Sequence, residues 1–304
     1  MTTQTSEERL KERLELHRLW LEDAPEGIRA NFGGLSLTDQ NLEGKDLRRA
    51  RLSGASFFEV SLSGADLAGA DLSGADLRKA NLSHADLTEA DLANANLQDA
   101  LLFGANLSEV KTSRTRFDKA DLRDARMFDA QFSSCDFSGS DLRGAMMNHS
   151  SMIDCSFTGV DFTGAKLLHA AVYGCRFIQT HGEAVDFSFL SAMGADFTGA
   201  SFPGAKFYRA VLSRGIFYRA NLTGANFAEC NLSFAEFSSA SLIDSRFGGA
   251  NLKSTDLTSA NLKGARDLTS QQLILARTGD GTTLPIGTPG PYMKGSGAER
   301  PRAR

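Results

Sequence analysis

The feature that most constrains this chain is a period of five residues. Its most regular stretch, residues 61–100, reads SLSGADLAGADLSGADLRKANLSHADLTEADLANANLQDA. Stepping by five from Leu37 to Leu262 gives 46 central positions, and Leu or Phe occupies 39 of them without a shift of frame. Places in a repeat are counted from its central residue. A small residue commonly stands two places before it (minus-two), and Asp or Asn stands one place before it (minus-one). A period of five fits neither a helix nor a flat strand, so the chain must turn within every repeat.

Turns in each repeat would bring every fifth side chain to a common interior, where small minus-two residues leave room for Leu or Phe. Gly recurs at the plus-two place, as at Gly54 and Gly64, and suits a tight corner with unusual dihedral angles. The seven other central positions hold Thr112, Met127, Met147, Met152, Val172, Gly182 and Ala192.

These A(D/N)LXX repeats, which run over about residues 35–265, resemble those of the pentapeptide-repeat family. The resemblance implies an all-β solenoid, namely a right-handed quadrilateral β-helix with short helical caps at both ends. Each pentapeptide would form one side of a square, and the 46 repeats would make about 11–12 coils. The central and minus-two side chains would then point inward.

The predicted domain organisation begins with a helix in residues 1–30. Thr5 and Glu8 are spaced as a capping box, and Leu10, Leu14 and His17 recur at helical spacing. This helix is expected to cover the open end of the β-helix, where unpaired backbone would otherwise promote association. The alternative is a separate helix that binds a partner.

Residues 31–266 are predicted to form one β-helix without a domain break. Residues 267–285 follow as a C-terminal capping helix and closing element, with Thr269 and Gln272 as a capping box. Residues 286–304 are rich in Gly and Pro, lack apolar periodicity and are expected to be a flexible tail.

Composition narrows the classes of partner and compartment. The net charge of −4 is too small to indicate a nucleic-acid partner, and no run of 18 apolar residues indicates a membrane span. The N-terminus lacks the apolar core of a signal peptide, and only four Cys are present. A cytoplasmic location without structural disulfides is therefore expected.

Two columns of residues spaced by one coil are candidates for chemistry. Cys135, Cys155 and Cys175 should stack at one interior corner, where packing as small hydrophobes is favoured over redox or metal chemistry. His149 and His169 should stack outward above Asp129, and such side chains are common zinc ligands. No fourth ligand is evident because Phe189 follows in that column. No metal, cofactor or catalytic motif is therefore predicted, and the chain is not expected to be an enzyme.

A cluster of large apolar residues lies outside the predicted interior. Between about 126 and 212, places that ordinarily carry polar residues hold apolar ones on two adjoining faces. Such a cluster often marks a partner surface; the alternatives are a bend in the β-helix or a C-terminal segment folded over it. The predicted partner surface consists of Phe128, Met146, His149, Ile153, Leu168, His169, Tyr173, Phe189, Met193, Tyr208, Arg209 and Val211.

The favoured function is that of a non-enzymatic interaction or scaffold protein that presents flat faces to another protein, either a different chain or a second copy. The family resemblance implies an alternative, because some members protect type II topoisomerases such as gyrase from quinolones or toxins by imitating duplex DNA. A β-helix of this length would be about 55 Å long, and duplex DNA of that length carries about 32 negative charges. Residues 36–265 carry a net charge of only −5, which argues against the mimic.

Overall fold

The structure, a computed structural model, describes residues 6–38 and 40–300. In the repeats, minus-one residues form parallel bridges with the residue twenty positions later, as Asn31 does with Arg51 and Ser36 with Ser56. A bridge recurs every five residues, so each twenty-residue coil has four sides. This pattern confirms the predicted all-β solenoid.

Corners between the sides are formed by left-handed backbone at the plus-two place. Gly54 has φ 65°, but many other residues share this conformation, including His149 at 60° and Phe189 at 59°. The next minus-two N–H closes the turn, as Ala50 N–H does by donating to the Leu47 carbonyl at 3.0 Å. A turn with positive φ at its third residue is of the type II class. The plus-two side chain is therefore directed outward at every corner, whatever its chemistry.

The interior holds the central and minus-two side chains, as predicted. Leu42, Phe117 and Phe217 are fully buried, and the minus-two Ala residues between repeats are buried beside them. Gly182, an exception at a central place, has no room for a side chain. A Cβ atom there would lie 2.8 Å from the Phe162 carbonyl carbon and 2.8 Å from Val185 Cγ2.

Four sides are extended into short strands, and all four occupy equivalent places twenty residues apart. They are β1 (Lys111–Ser113), β2 (Gln131–Ser133), β3 (Ser151–Ile153) and β4 (Ala171–Tyr173). Strand β1 pairs in parallel with β2, and β3 pairs in parallel with β4. Their central residues include Thr112, Met152 and Val172, three of the exceptions to Leu or Phe. Two of these are β-branched, and β-branched side chains favour extended backbone.

Two compact units divide the chain, Met1–Asp141 and Leu142–Arg304. The first contains α1 (Ser6–Leu21) and coils filled mainly by Leu and Ala, and the second contains Phe-rich coils and α2 (Ser270–Leu275). The prediction of a single β-helix domain over residues 31–266 stays a prediction. Within the described residues, neither helix is long and apolar enough to cross a bilayer.

Helix α1 contacts the first coils of its unit through His17. The buried imidazole accepts a hydrogen bond from the Ala30 N–H at Nδ1 (3.1 Å), and its Nε2 lies 3.0 Å from the Arg48 carbonyl oxygen. Leu10 is also buried, and the Trp20 ring stacks on His17 at 5.5 Å. The capping role of this helix stays a prediction, and Thr5 of the predicted capping box lies outside the described residues.

Helix α2 has the predicted capping box between Thr269 and Gln272. Gln272 also donates from Nε2 to the Phe247 and Ala250 carbonyls, at 2.8 and 2.9 Å. Of the three consecutive apolar residues of α2, Leu273 is buried, whereas Ile274 and Leu275 are each 44% exposed. Successive side chains of a helix are about 100° apart around its axis, so three consecutive ones cannot share one face.

Residues 286–304 were predicted to be a flexible tail, and those that the structure describes, 286–300, contact the C-terminal part of their unit. Tyr292 donates from its backbone N–H to Thr278 Oγ1 and from its hydroxyl to Ser270 Oγ, at 2.9 and 2.8 Å. Ser270 in turn donates to Glu299, which is buried. These contacts are polar and follow no regular spacing, so the apolar period of the sequence does not predict them.

Candidate interaction surface

The second unit carries eleven of the twelve residues of the predicted partner surface, from Met146 to Val211. They occupy plus-one, plus-two and minus-one places on either side of one corner. Residues twenty positions apart lie in the same column, one coil after another. The eleven residues are called the outer patch below. Phe128 belongs to the first unit, where it is half-buried.

One column of the outer patch is a ladder of exposed apolar side chains at the plus-one place. Ile153, Tyr173 and Met193 are 44%, 42% and 53% exposed. The β3–β4 register places Ile153 directly beside Tyr173. The Tyr173 hydroxyl lies 3.2 Å from Ser191 Oγ, which holds the ring against the coil. Val211, in a neighbouring column, adds a further side chain that is 40% exposed.

A second column, at the plus-two place, is a stack of rings. His149 and His169 lie parallel with their centroids 5.1 Å apart, and His169 lies 4.5 Å from Phe189. Phe189 then meets Tyr208 edge-on at 5.7 Å. Left-handed backbone at the plus-two place directs the first three rings outward, and the coil repeat sets their spacing. The result is a continuous aromatic surface across three coils.

Arg209 ends this stack and has its charge compensated. Its guanidinium lies over the Tyr208 ring at 5.1 Å, and its Nε donates to Glu229 Oε2 at 2.6 Å. The Tyr208 hydroxyl donates to the same carboxylate at 3.1 Å. The Arg209 hydrogen bond, followed by that of Tyr208, lowers the pKa of Glu229. Arg209 therefore orders the edge of the outer patch rather than adding a free positive charge.

Met146 and Leu168 contribute less to the outer patch than the sequence predicts. Both side chains are half-buried. The Leu168 backbone N–H donates to Asn148 Oδ1 at 3.2 Å. The exposed apolar area therefore comes chiefly from the plus-one ladder and the ring stack.

Sequence reasoning missed two residues beside the outer patch. Glu229, the acceptor for Arg209, stands twenty residues after it, so coil spacing would have found it. Phe234 is 53% exposed at a plus-two place, with the Arg214 guanidinium 5.9 Å from its ring centroid. It was overlooked because it lies outside the stretch from 126 to 212.

The two candidate columns for chemistry pack as parts of the coil. Cys135, Cys155 and Cys175 are buried thiols, and Cys175 Sγ donates to the Met152 carbonyl at 3.4 Å. His149 and His169 stack face to face instead of converging on one point. In the part of the chain that the structure describes, no group of three or more His, Cys, Asp or Glu side chains is arranged to bind a metal ion.

Comparison with solved structures finds pentapeptide-repeat proteins. HetL, involved in heterocyst differentiation regulation in the cyanobacterium Nostoc sp. strain PCC 7120, is 25% identical, with 91% of this chain and 98% of HetL covered and a TM-score of 0.34. A trypsin-treated form of QnrB1, a plasmid-mediated fluoroquinolone resistance protein, is 17% identical, with 84% and 89% covered and a TM-score of 0.31. No curated protein matches the chain.

Family models match most of the chain. The model described as pentapeptide repeats matches in 8 copies, at residues 30–67, 55–92, 100–144, 125–164 and 140–179. The model described as a pentapeptide repeat region matches residues 190–266. The chain therefore belongs to the pentapeptide-repeat family and adopts its right-handed quadrilateral β-helix.

Proposed function

We propose that this chain is a non-enzymatic interaction protein and that the outer patch of its second unit binds a protein partner. The observation that carries the proposal is the plus-one ladder of Ile153, Tyr173 and Met193, with each side chain more than 40% exposed. Scattered surface hydrophobes are normal, whereas a contiguous exposed cluster often marks an interaction site.

The ring stack supports the same proposal. Aromatic side chains supply large contact areas and dominate the energetics of many interfaces. His149, His169 and Phe189 already pack against one another, so little side-chain freedom remains to be lost when a partner covers them. The exposure of these side chains also argues against the alternative that a C-terminal segment of the chain covers them.

Topoisomerase protection by DNA mimicry stays the alternative function. Its support is restricted to the first unit, where residues 36–110 carry 12 acidic and 6 basic residues. Residues 111–265 carry 15 acidic and 16 basic residues, so that stretch has no polyanionic character. The partner that fits the outer patch is an apolar protein surface, either of another chain or of a second copy.

The test is a double substitution at the centre of the ladder, Tyr173→Ser with Met193→Ser. Partner capture from native extract and self-association by analytical ultracentrifugation are measured for wild type and variant. We expect binding to weaken at least tenfold, because central desolvated side chains carry most of an interface's energy. The thermal midpoint should change little, because exposed substitutions usually cost within about 0.5 kcal/mol.

Leu101→Ser is the matched control. Leu101 is 45% exposed in the first unit. Its substitution therefore removes a comparable apolar side chain outside the outer patch. Binding by the control should equal that of wild type. Equal binding by the patch variant would place the partner surface elsewhere, and a lowered midpoint would make these side chains part of the core.

A further inference from the structure

Near the N-terminal end of the first unit, arginines gather around Trp20. The Arg29 and Arg49 guanidinium carbons lie 5.6 and 5.2 Å from the indole centroid. Arg29 also donates from Nε to the Arg49 carbonyl oxygen at 2.5 Å. Arg51, two residues further along the same coil, is exposed. The indole and this hydrogen bond therefore hold two guanidinium groups in place before any ligand arrives.

These arginines lack carboxylate partners. Among residues 6–38 and 40–300, no Asp or Glu lies within ion-pair distance of Arg29, Arg49 or Arg51. Burial, and then the charges of Arg51 and Arg49, lower the pKa of the Arg29 guanidinium, while Asp71 acts in the opposite direction. Asp71 is itself engaged by the backbone N–H and hydroxyl of Ser73. Positive charges thus outweigh the negative charge acting on Arg29.

A cavity of about 220 Å³ adjoins this cluster. It is lined by Arg13 and Arg29 together with Leu16, Ile28 and Ala30, and by Asn31. The Arg13 guanidinium carbon lies 5.6 Å from the Phe32 ring centroid, so aromatic contacts hold cations on both sides of the cavity lining. A ligand entering it would meet guanidinium donors and an apolar wall.

We propose that Arg13, Arg29, Arg49 and Arg51 form a binding site for a phosphoryl group. Guanidinium presents N–H donors in a planar fork that matches phosphate oxygens, and hydrogen bonds between two charged groups are the stronger kind. Arg29 retains its terminal amino groups for a ligand, because the one hydrogen bond that its side chain makes to the described residues uses Nε. This site lies in the first unit and is independent of the outer patch.

A phosphoryl group also accounts for the composition of the cluster better than an acidic protein surface does. Its oxygens carry up to two charges in a small volume, whereas carboxylates on a protein surface are dispersed. The cavity admits a small group, and its Leu16 and Ile28 side chains would contact the less polar part of the molecule that bears the phosphate. Soluble phosphorylated molecules and lipid headgroups both carry this group, and the two arms of the test below distinguish them.

Isothermal titration of the full chain with pyrophosphate tests the site, with flotation on phosphatidylcholine vesicles containing phosphatidic acid as a second arm. We expect saturable pyrophosphate binding that weakens about tenfold or more in Arg29→Gln with Arg49→Gln, because charge-assisted hydrogen bonds are lost. Arg51→Gln removes a side chain with no protein hydrogen bond in the described residues, so it should weaken binding without altering the fold. Binding to vesicles but not to pyrophosphate, lost in the same variants, would assign the site to a lipid headgroup.

The matched control is Arg219→Gln. Arg219 also lies over an aromatic ring, that of Tyr218 at 4.9 Å, but it belongs to the second unit. Its substitution should leave binding unchanged. The proposal is overturned if wild type binds neither probe, or if the Arg29 and Arg49 variant binds as wild type does while its thermal midpoint is unchanged. If the thermal midpoint of the Arg29 and Arg49 variant is lowered, Arg51→Gln becomes the deciding variant. Binding by Arg51→Gln at the wild-type level would then overturn the proposal.

Discussion

The two units use the same backbone repeat with different interiors. In the first unit Leu residues such as Leu77 and Leu97 fill the central places, and outward places carry many charges. In the second unit Phe rings stack directly from coil to coil, with Phe217 lying 4.8 Å from Phe197 and 4.5 Å from Phe237. The five-residue frame is thus set by turn geometry and burial, and it tolerates a change of both core volume and surface chemistry.

The contrast also separates what the repeat requires from what it leaves free. Bridges between residues twenty apart run through both units and depend on the backbone alone. Side chains at the plus-one and plus-two places contribute nothing to those bridges. The outer patch in one unit and the arginine cluster in the other are therefore additions to a shared scaffold.

The largest expected difference between the units concerns their cores. Phe217→Ala removes a ring packed between two others and should cost about 3–5 kcal/mol, against about 2–5 kcal/mol for Leu77→Ala in the equivalent column of the first unit. Because coils contact only their neighbours, lost hydrogen-exchange protection should be confined to adjacent coils. Chemical denaturation with exchange of both variants measures this. A larger loss in Leu77→Ala would show that ring stacking adds nothing to the second core.

The second expected difference appears at alkaline pH and concerns Cys230. Burial raises the pKa of this thiol to about 12, from 9.0, despite an opposing backbone hydrogen bond from Ala210. The folded state therefore keeps a proton that the unfolded chain releases, so stability falls as pH rises from 9.0 towards about 12. At pH 10 the loss should be about 1.4 kcal/mol.

The measurement compares the free energy of unfolding at pH 8 and pH 10 for wild type and Cys230→Ala. The variant lacks the thiol and should lose less stability over this interval. Equal losses in the two proteins would mean that Cys230 ionises as readily when folded as when unfolded.

The smallest expected difference appears at acid pH and concerns His17 in the first unit. Burial lowers the pKa of this imidazole, with the Arg48 carbonyl acting in the opposite direction. The folded state then binds fewer protons than the unfolded chain, so stability is full above about pH 6.5 and is lost as pH falls through the folded pKa. Protonation at Nδ1 would also remove the acceptor for the Ala30 N–H.

Hydrogen-exchange protection of the Ala30 amide at pH 7 and pH 5 measures this effect. His17→Gln is the matched variant, because an amide side chain can accept and donate hydrogen bonds without titrating. Wild type should lose protection at pH 5 while the variant does not. The same loss in both would assign the acid sensitivity to another group.

The fold was largely predictable because one rule of spacing determines which side chains are inside. Leu42 and Phe217 are buried as the frame requires, and Ile153, Tyr173 and Met193 are exposed as their outward places require. The left-handed backbone of His149 and Phe189 was not predicted, because positive φ was expected only where Gly occupies the plus-two place.

The candidate sites were predictable only in part, because contacts across coils are not adjacent in sequence. The compensation of Arg209 by Glu229 depends on side chains of successive coils, and the gathering of Arg29 and Arg49 depends on a helix that places Trp20 beside them. The polar contacts of Tyr292 follow no period at all. The spacing of the repeats predicts which side chains share a column. It does not predict which contacts the segments outside the repeats make with those columns.

The twenty-residue register has a consequence for how such a chain changes in length. Within a unit, inserting or deleting a whole coil keeps every side chain in its column, as Ile153 and Tyr173 keep theirs. Inserting a single pentapeptide preserves the inward frame but advances all later residues by one side of the square. A surface such as the plus-one ladder would then be divided between two faces without any substitution. Gene rearrangements that add or remove five-residue repeats can therefore change the outer surface while the buried interior keeps its pattern.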